Sequence, residues 1–139
     1  MEVINIPFNQ TIGVKYSDKE GFVYMLHYDQ SLTNHLGSFH AAVLFHLAEA
    51  SSGEFLTRTF PQYASITVPL LRTSSGKYKK PTMRDIHARC RLRDNNADAF
   101  SNDLDTKGRG LIGVTVDIID EDNVLVFTGE YDWFVSKLP

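Results

Sequence analysis

One segment constrains the fold of this chain more than any other, because its apolar side chains surround most of a helix. Apolar residues recur there at spacings of three, four and seven, which predicts an α-helix from His40 to about Thr59. These residues are Ala41, Val43, Leu44, Phe45, Leu47, Ala48, Phe55 and Leu56. A helix that is apolar around so much of its circumference belongs in a protein interior. Ser38 is the predicted N-cap, since its hydroxyl can accept a free backbone N–H, and Pro61 is predicted to close the segment.

Apolar runs and alternating patterns predict five strands outside this helix. They are residues 21–28, 64–75, 82–93, 111–119 and 124–135. The polar residues 120–123 predict a hairpin turn, whereas the polar residues 94–109 predict a loop with room for one short helical turn. In the third strand, apolar residues alternate with His87, Arg89, Arg91 and Arg93. That alternation predicts one buried face, which holds Cys90, and one cationic outer face.

One long helix and about five strands with short links predict a single α+β domain over residues 1–139. The four strands that follow the helix are joined by hairpins or loops, so they are expected to be antiparallel. One buried helix facing such a sheet has one economical arrangement, in which the sheet wraps around the helix.

Composition narrows the classes of function. With 14 Lys and Arg against 17 Asp and Glu, the formal net charge is −3, which argues against a general nucleic-acid binder. The single cysteine, Cys90, excludes an internal disulfide and any zinc site that needs two or more cysteines. No apolar run reaches about 18 residues, so no membrane span is expected, and the first residues lack the pattern of a signal peptide. The expected location is cytoplasmic.

Glu49 is the first candidate for chemistry, because it lies within the most apolar helix of the chain, between Ala48 and Ala50. A carboxylate in such surroundings is costly unless it is paired, hydrogen-bonded or placed at a cleft. In a dry site, desolvation would raise its pKa and suit it to work as a general base or acid. The alternative is a glutamate on one exposed strip of the helix, and periodicity does not decide between the two.

Asn34, Gly37 and His40 precede the helix directly. A helix N-terminus offers unpaired backbone N–H groups and a partial positive charge, which can bind a carbonyl oxygen as it becomes an oxyanion. Ala41 and Ala42 have side chains small enough to let a substrate reach the backbone, and Asn34 could add its amide. The alternative is an ordinary loop turn followed by a helix cap.

The histidines and serines of this region give weaker signals. His46 lies six residues beyond His40, about 600° around the helix, so His35, His40 and His46 do not share a face and no metal site is expected. Ser51 and Ser52 lack the flanking glycines of a nucleophile elbow.

A basic stretch follows the second predicted strand. It contains Lys77, Lys79, Lys80 and Arg84, beside Tyr78. These residues are candidates for binding the phosphates of a nucleotide-containing ligand. The alternative is a solvated turn between two strands.

Residues 34–53 resemble the helix motif of hotdog-fold thioesterases, in the phenylacetyl-CoA thioesterase-like branch and a related group of uncharacterised hotdog proteins. That motif has a polar amide residue, then G-[ST]-x-H-[GA]-G, an apolar run, and an Asp or Glu eight residues after the residue that follows the His. Here the same spacing runs from Ala41 to Glu49, and residues 78–81 are similar to the family's segment between two sheet strands. The resemblance implies the hotdog fold, an antiparallel sheet of about five strands wrapped around one long central helix.

The resemblance also implies an acyl-CoA thioesterase, a hydrolase that needs no cofactor beyond the coenzyme A of its substrate. Glu49 would be the general base or nucleophile, the Ala41 N–H the oxyanion donor, and Asn34 would position the carbonyl or the water. His40 completes the implied catalytic set. The implied substrate-binding residues are Gly37, Ala42, Gly53, Lys77, Tyr78, Lys79, Lys80 and Arg84, with the basic ones on CoA phosphates. In the family the site lies between two subunits, so a homodimer or a dimer of dimers is implied.

The sequence departs from the family pattern at three positions. The glycines after the family's His are Ala41 and Ala42 here, and Gly53 stands where Ser or Thr is common one turn after the acid. A non-catalytic acyl-thioester binding protein is therefore an alternative. A further alternative is a dehydratase or hydratase of the same fold, because His35 and Glu49 have the separation used for acid–base work there. The proline-rich stretch that normally follows that histidine is absent.

Overall fold

The long helix forms where the sequence predicts it. A computed structural model describes residues 2–139, whose α-helices are α1 (Pro7–Ile12), α2 (Ala41–Thr59) and α3 (Ala97–Lys107). The N-cap of α2 is His40, whose Nδ1 accepts the Ala42 N–H at 2.9 Å. The prediction of Ser38 as the cap is wrong, because this buried hydroxyl is hydrogen-bonded to the Asn34 side chain within the preceding loop. No helix in residues 2–139 has both the length and the apolar character needed to cross a membrane.

Six antiparallel strands form one sheet in the order β1-β2-β4-β5-β6-β3. They are β1 (Lys15–Tyr16), β2 (Tyr24–Leu26), β3 (Thr67–Tyr78), β4 (Ile86–Leu92), β5 (Arg109–Asp120) and β6 (Leu125–Lys137). All five predicted strands are present with shifted ends. The strand predicted at 21–28 is reduced to the three residues of β2, and β1 is a short additional strand that the residue pattern did not predict.

The sheet wraps around α2 as predicted, and the core lies between them. α2 packs against β2 to β6. Leu47 and Ala48 of the helix are fully buried, as are Val114 and Val116 of β5 and Phe127 of β6. Removal of this apolar surface from water is the main force that holds helix and sheet together.

The segment 94–109 corrects the sequence prediction of a loop. Its residues form α3, eleven residues long, which ends at Gly108 in the left-handed region with φ 72°. Phe100 and Leu104 lie one turn apart and are buried, while the other faces carry Asp, Asn and Lys. A stripe of only two apolar residues on a polar helix is too weak a periodic signal to predict the helix.

The N-terminal residues also form structure that the sequence did not predict. A 3-10 turn covers Val3–Asn5, and α1 follows, with Pro7 in its first turn and Gly13 at its C-cap with φ 89°. Buried Asn9 donates its side-chain amide to the Val3 carbonyl at 2.7 Å, which ties the turn to the helix. Residues 3–9 thereby form a wall beside α2, and below they are called the N-terminal wall.

The outer face of β4 is only partly as predicted. Arg91 is exposed and its Nη1 lies 2.8 Å from Oδ2 of Asp117 on β5. His87, by contrast, is only 1% exposed. Its Nδ1 lies 2.7 Å from Ser17 Oγ, and its Nε2 lies 2.7 Å from Glu121 Oε1. The turn that follows β1 covers this end of the strand, so the prediction of a cationic face is wrong for His87.

The two edges of the sheet differ in length. One edge is β1, with two residues, and the other is β3, with twelve. The outer side of β3 has no strand partner within residues 2–139. Most of β3 is exposed, including the apolar side chains of Val68, Leu70 and Tyr78. A long exposed edge of this kind is a template for pairing with another chain.

Candidate active site

Glu49 lies at a cavity of about 500 Å³ between α2, the N-terminal wall, β3 and β6. The lining is largely apolar and includes Phe8 of the wall, Leu70 of β3 and Trp133 of β6. Within the described residues, Glu49 and His46 are the only titratable groups of this lining, and no Lys or Arg contributes to it. A cavity of this size and polarity is within the range of small-molecule sites.

Of the two alternatives for Glu49, a carboxylate at a cleft and a glutamate on an exposed strip of the helix, its environment matches the first. Its side chain is 32% exposed, so the carboxylate is at the cavity and not on a fully solvated strip. Burial raises its pKa above the ordinary value of 4.5, because a partly dry site penalises the charged form. A carboxylate with a raised pKa is a better proton acceptor than a solvated one.

His46 lies beside Glu49, and sequence reasoning missed it as a site residue. Its Nδ1 lies 3.6 Å from Glu49 Oε2, one turn back along α2. Burial lowers the pKa of His46, so the ring is neutral near pH 7. Its Nε2 is buried without a hydrogen-bond partner among residues 2–139. The three-residue spacing to Glu49 on one helix face was the available signal.

The N-terminal wall is the second part of the site that sequence reasoning missed. The ring of Phe8 meets the ring of His46 edge to face, with centroids 4.6 Å apart. The available signal was Pro7 and Gly13, which mark the start and the end of a short helix.

Trp133 forms the other side of the cavity and is tied to α2 by hydrogen bonds. The indole Nε1 donates to Ser52 Oγ at 2.9 Å, and that hydroxyl donates to the Glu49 carbonyl at 2.7 Å. Gly53 lies beside the indole, and a Cβ there would meet the ring at 3.7 Å, an ordinary van der Waals contact. Trp133 is thereby held one turn along the helix from the Glu49 side chain.

The exposed N-terminus of α2 lies away from this cavity. Ala41, Ala42 and His40 are exposed, and the Ala42 N–H is occupied by the His40 ring. The Ala41 N–H has no acceptor within residues 2–139. Glu49 lies eight residues further along the helix, about 12 Å at 1.5 Å per residue. One chain therefore does not bring Glu49 and the Ala41 N–H to the same carbonyl group.

Asn34 is held inside the loop before α2. Its Oδ1 accepts the Leu36 and Ser38 N–H groups at 2.9 and 3.2 Å, and its Nδ2 donates to Ser38 Oγ at 3.0 Å. Gly37 in the same loop has φ 80°, a left-handed conformation that side chains rarely adopt. The loop is thus built to fix the start of the helix.

The three histidines near the start of α2 lie in three different places. His35 is exposed in the loop, His40 caps the helix and His46 lines the cavity. No group of three or more His, Cys, Asp or Glu residues within 2–139 is placed to hold a metal ion. His35 does not belong to the lining of the Glu49 cavity.

Three of the four basic candidates line two further cavities. Lys77 and Lys79 line one of about 310 Å³, and Arg84 lines one of about 440 Å³. Arg84 Nη2 also lies 3.6 Å from Asp122 Oδ1. Lys80 and Tyr78 are exposed. None of these five residues contributes to the lining of the Glu49 cavity in one chain.

Comparison with known proteins gives one family match. The model of the family described as "Domain of unknown function (DUF4442)" matches residues 2–135. No curated protein matches the sequence.

Solved structures show the same fold at low sequence identity. The chain is similar to a probable thioesterase from Pseudomonas aeruginosa, at 20% identity and a TM-score of 0.80, over 98% of this chain and 91% of that one. It is similar to a Bacillus halodurans protein solved with CoA, at 17% identity and a TM-score of 0.70, over 92% and 74% of the chains. It is also similar to a thioesterase from Haemophilus influenzae, at 16% identity and a TM-score of 0.72, over 98% and 87%. These likenesses show the hotdog fold, as the resemblance of residues 34–53 implied.

Proposed function

The chain belongs to the DUF4442 family of hotdog thioesterase-like proteins, and from this premise we propose that it is an acyl-CoA thioesterase. The observation that carries the proposal is the position of Glu49. Its carboxylate borders a cavity of about 500 Å³ with a mainly apolar lining, and it is the only acidic group of that lining within the described residues. Such a cavity suits an apolar acyl group, and the carboxylate suits attack on the thioester at its end.

Glu49 can serve the hydrolysis in two ways, as a general base or as a nucleophile. As a base it takes a proton from a water molecule whose oxygen attacks the thioester carbonyl carbon. As a nucleophile its own oxygen attacks that carbon, and water then hydrolyses the resulting anhydride. In both routes the carbon–sulfur bond breaks, the thiolate leaves and takes up a proton, and the acyl group ends as a carboxylate.

The oxyanion that forms at the thioester carbonyl needs a hydrogen-bond donor. The chain that carries Glu49 does not place such a donor close to this carboxylate. The exposed Ala41 N–H is such a donor, because it has no acceptor within residues 2–139 and lies at a helix N-terminus. Since about 12 Å of helix separates it from Glu49, the complete site takes Glu49 from one copy and the Ala41 N–H from a second. Ala42 lies beside this donor, and His40 fixes it by capping the helix.

The exposed edge of β3 supports assembly with a second copy. Twelve residues of strand lack an outer partner within the described chain, and Val68, Leu70 and Tyr78 add exposed apolar side chains. The central residues Thr73, Ser74 and Ser75 carry no charge that would block pairing. In a homodimer, or a dimer of dimers, a second copy would pair with the free backbone N–H and C=O groups of this edge.

Coenzyme A is the proposed thiol, and a Bacillus halodurans protein of the same fold was solved with CoA. Lys77 and Lys79 share one cavity and are the proposed phosphate ligands, with Lys80 close by in sequence. Arg84 is the other proposed ligand, although its guanidinium is also paired with the Asp122 carboxylate. Hydrogen bonds within the loop occupy both ends of the Asn34 amide. The contact of Asn34 with substrate stays a prediction.

A non-catalytic acyl-thioester binding protein is the second candidate, and two observations favour it. No hydrogen bond within residues 2–139 orients the Glu49 carboxylate, and Nδ1 of His46 is 3.6 Å from it. Gly53, one turn further along α2, has no hydroxyl to position a water molecule. The dehydratase alternative is weaker, because His35 does not line the cavity that holds Glu49.

The test is thiol release from a panel of acyl-CoAs with short, long and aromatic acyl groups. Wild type is compared with Glu49→Gln, which keeps the shape and removes the base. Glu20→Gln is the matched control, since Glu20 is exposed and outside the cavity. We expect Glu49→Gln to lose about 10²- to 10⁴-fold in kcat/KM and Glu20→Gln to keep wild-type activity. CoA esters that bind without release of thiol from the wild type would instead support the binding-protein candidate.

Assembly is tested with Ser74→Lys, which places a charge at the middle of the exposed β3 edge. We expect light scattering to show a dimer or tetramer for wild type and a monomer for this variant. Thiol release should fall with the loss of the dimer, because each chain alone holds only half of the site. A monomeric wild type with full activity would exclude a site shared between two copies.

A further inference from the structure

His46 and Glu49 form a pair in which the two ring nitrogens of the histidine have unlike surroundings. Nδ1 of the histidine faces Oε2 of the carboxylate at 3.6 Å, while Nε2 is buried without a partner among residues 2–139. Both residues line the cavity of about 500 Å³. A buried histidine that only supports the fold usually has both ring nitrogens hydrogen-bonded. His46 leaves one nitrogen unsatisfied and turns the other to the candidate catalytic group.

The surroundings decide which nitrogen of His46 carries the proton. A neutral imidazole has one N–H donor and one acceptor nitrogen, and an ionised carboxylate only accepts. A proton on Nδ1 points at Glu49 Oε2 and is attracted to it. A proton on Nε2 would turn the Nδ1 lone pair toward the carboxylate and bury an unsatisfied N–H, which costs free energy. The Nδ1–H tautomer is therefore favoured while Glu49 is ionised.

The ring is held in this orientation by the N-terminal wall. Phe8 packs edge to face against it, with ring centroids 4.6 Å apart and planes at 83°. The side chain of His46 is only 12% exposed, which favours the neutral ring. The wall, β3 and β6 contribute no Lys, Arg, Asp or Glu to the cavity. Among the described residues, Tyr131 of β6 also interacts with Glu49. Its hydroxyl donates to the Phe45 carbonyl, and burial raises its pKa.

We propose that His46 is a positioning residue for Glu49, whose Nδ1–H binds Oε2 and leaves Oε1 to act on the thioester or on the attacking water. The proposal rests on the thioesterase function proposed above. A small rotation of either side chain shortens 3.6 Å to the 2.7–3.2 Å of a hydrogen bond. Catalytic hydrogen bonds that are long in a free enzyme commonly shorten when substrate binds.

The kinetic test compares two substitutions at one position. His46→Leu removes the donor and keeps an apolar side chain, whereas His46→Asn keeps an amide donor near the place of Nδ1. We expect His46→Leu to lower kcat about 10- to 100-fold with KM changed by less than about threefold, because Glu49 is misplaced and not removed. His46→Asn should restore most of the loss.

The pH profile of kcat/KM separates positioning from simple loss of packing. The Nδ1–H stabilises the ionised carboxylate, so its removal should move the acid limb of His46→Leu to higher pH. His46→Asn should return the limb toward the wild-type position. A His46→Leu enzyme with wild-type kcat and an unmoved limb would overturn the proposal. Equal losses in both variants with no movement of the limb would overturn it too.

A third readout needs no activity. In ¹⁵N NMR spectra of the whole protein near pH 7, we expect His46 as a neutral ring with the proton on Nδ1. Glu49→Gln should weaken this preference, because a Gln amide can also donate. An Nε2–H ring in the wild type would overturn the positioning role even if thiol is released. An Nδ1–H ring in a protein that hydrolyses no thioester would leave the pair intact and refute the thioesterase function alone.

Discussion

Two of the histidine–carboxylate pairs in this molecule have opposite hydrogen-bonding character. In the first, on the outer face of the sheet, both nitrogens of His87 have partners, Ser17 Oγ and Glu121 Oε1, each at 2.7 Å. In the second, on α2, His46 has one buried nitrogen without a partner and a separation of 3.6 Å to Glu49. Only the second pair lies at a cavity.

The difference teaches how to tell a stabilising pair from a working one. Ser17, His87 and Glu121 have the order of a serine–histidine–carboxylate triad, yet none of these residues lines any of the three cavities described above. Their hydrogen bonds are complete, so the group contributes to stability. His46 and Glu49 keep unused hydrogen-bonding capacity at a cavity, which a substrate can take up. Polar groups whose hydrogen-bonding capacity is unused and which lie beside a cavity are candidates for function.

The largest expected contrast in stability comes from replacing each histidine by leucine. His87→Leu should lower the free energy of unfolding by about 1–3 kcal/mol, because Ser17 and Glu121 lose their partner. His46→Leu should cost less than about 1 kcal/mol, since it removes no short hydrogen bond. Urea titration of both variants measures the two values. A larger loss for His46→Leu than for His87→Leu would reverse the assignment of the two pairs.

A smaller effect is expected at Gly53, on the cavity side of α2. A glycine inside a helix costs about 0.5–1 kcal/mol relative to alanine, and a Cβ at Gly53 would meet Trp133 at 3.7 Å, an ordinary contact. Gly53→Ala should therefore stabilise the chain by that amount. The methyl group should also narrow the cavity and raise KM for bulky acyl groups. Thermal melts and acyl-CoA kinetics check both effects, and a destabilised variant would show that Trp133 cannot accommodate the methyl group.

The smallest effect is a pH-dependent gain of stability in Glu49→Gln. Burial raises the folded-state pKa of Glu49 above the ordinary 4.5, so the folded chain disfavours the ionised form. At pH well above the raised value the wild type carries this penalty, and below about 4.5 both states are protonated and the penalty disappears. Glu49→Gln should therefore melt slightly higher than wild type at pH 7.5 and equally at pH 4. A gain that persists unchanged at pH 4 would assign it to packing instead of charge.

Sequence reasoning predicted the frame of the fold because that frame rests on strong periodic signals. The apolar residues of α2 recur every three or four positions, and β5 and β6 are long strands rich in apolar residues, joined by residues 121–124. The sequence did not predict α3 or α1 of the N-terminal wall, because short helices with only two buried residues and one buried residue, respectively, give no clear period.

The candidate site was predictable only in part. Glu49 stood out because a carboxylate is rare within an apolar helix. His46 did not, because its importance depends on Phe8 and on an unpartnered nitrogen, and both follow from tertiary packing. The cap of α2 was assigned to Ser38 by residue preference, but the loop uses that hydroxyl for Asn34 and leaves His40 at the boundary. Which residue caps the helix depends on the hydrogen bonds that form in the folded loop. Residue propensities carry no information about those hydrogen bonds.

One parallel measurement tests the central claim that Glu49 is the working carboxylate and Glu121 a stabilising one. Glu49→Gln and Glu121→Gln are assayed side by side for thiol release from the acyl-CoA that the wild type hydrolyses fastest, and for melting temperature in the same buffer. If the claim is right, Glu49→Gln folds at least as stably as wild type and loses about 10²- to 10⁴-fold in kcat/KM. Glu121→Gln then melts lower, because its bond to His87 is weakened, and keeps its activity. A Glu49→Gln protein that still releases thiol at the wild-type rate would contradict the claim.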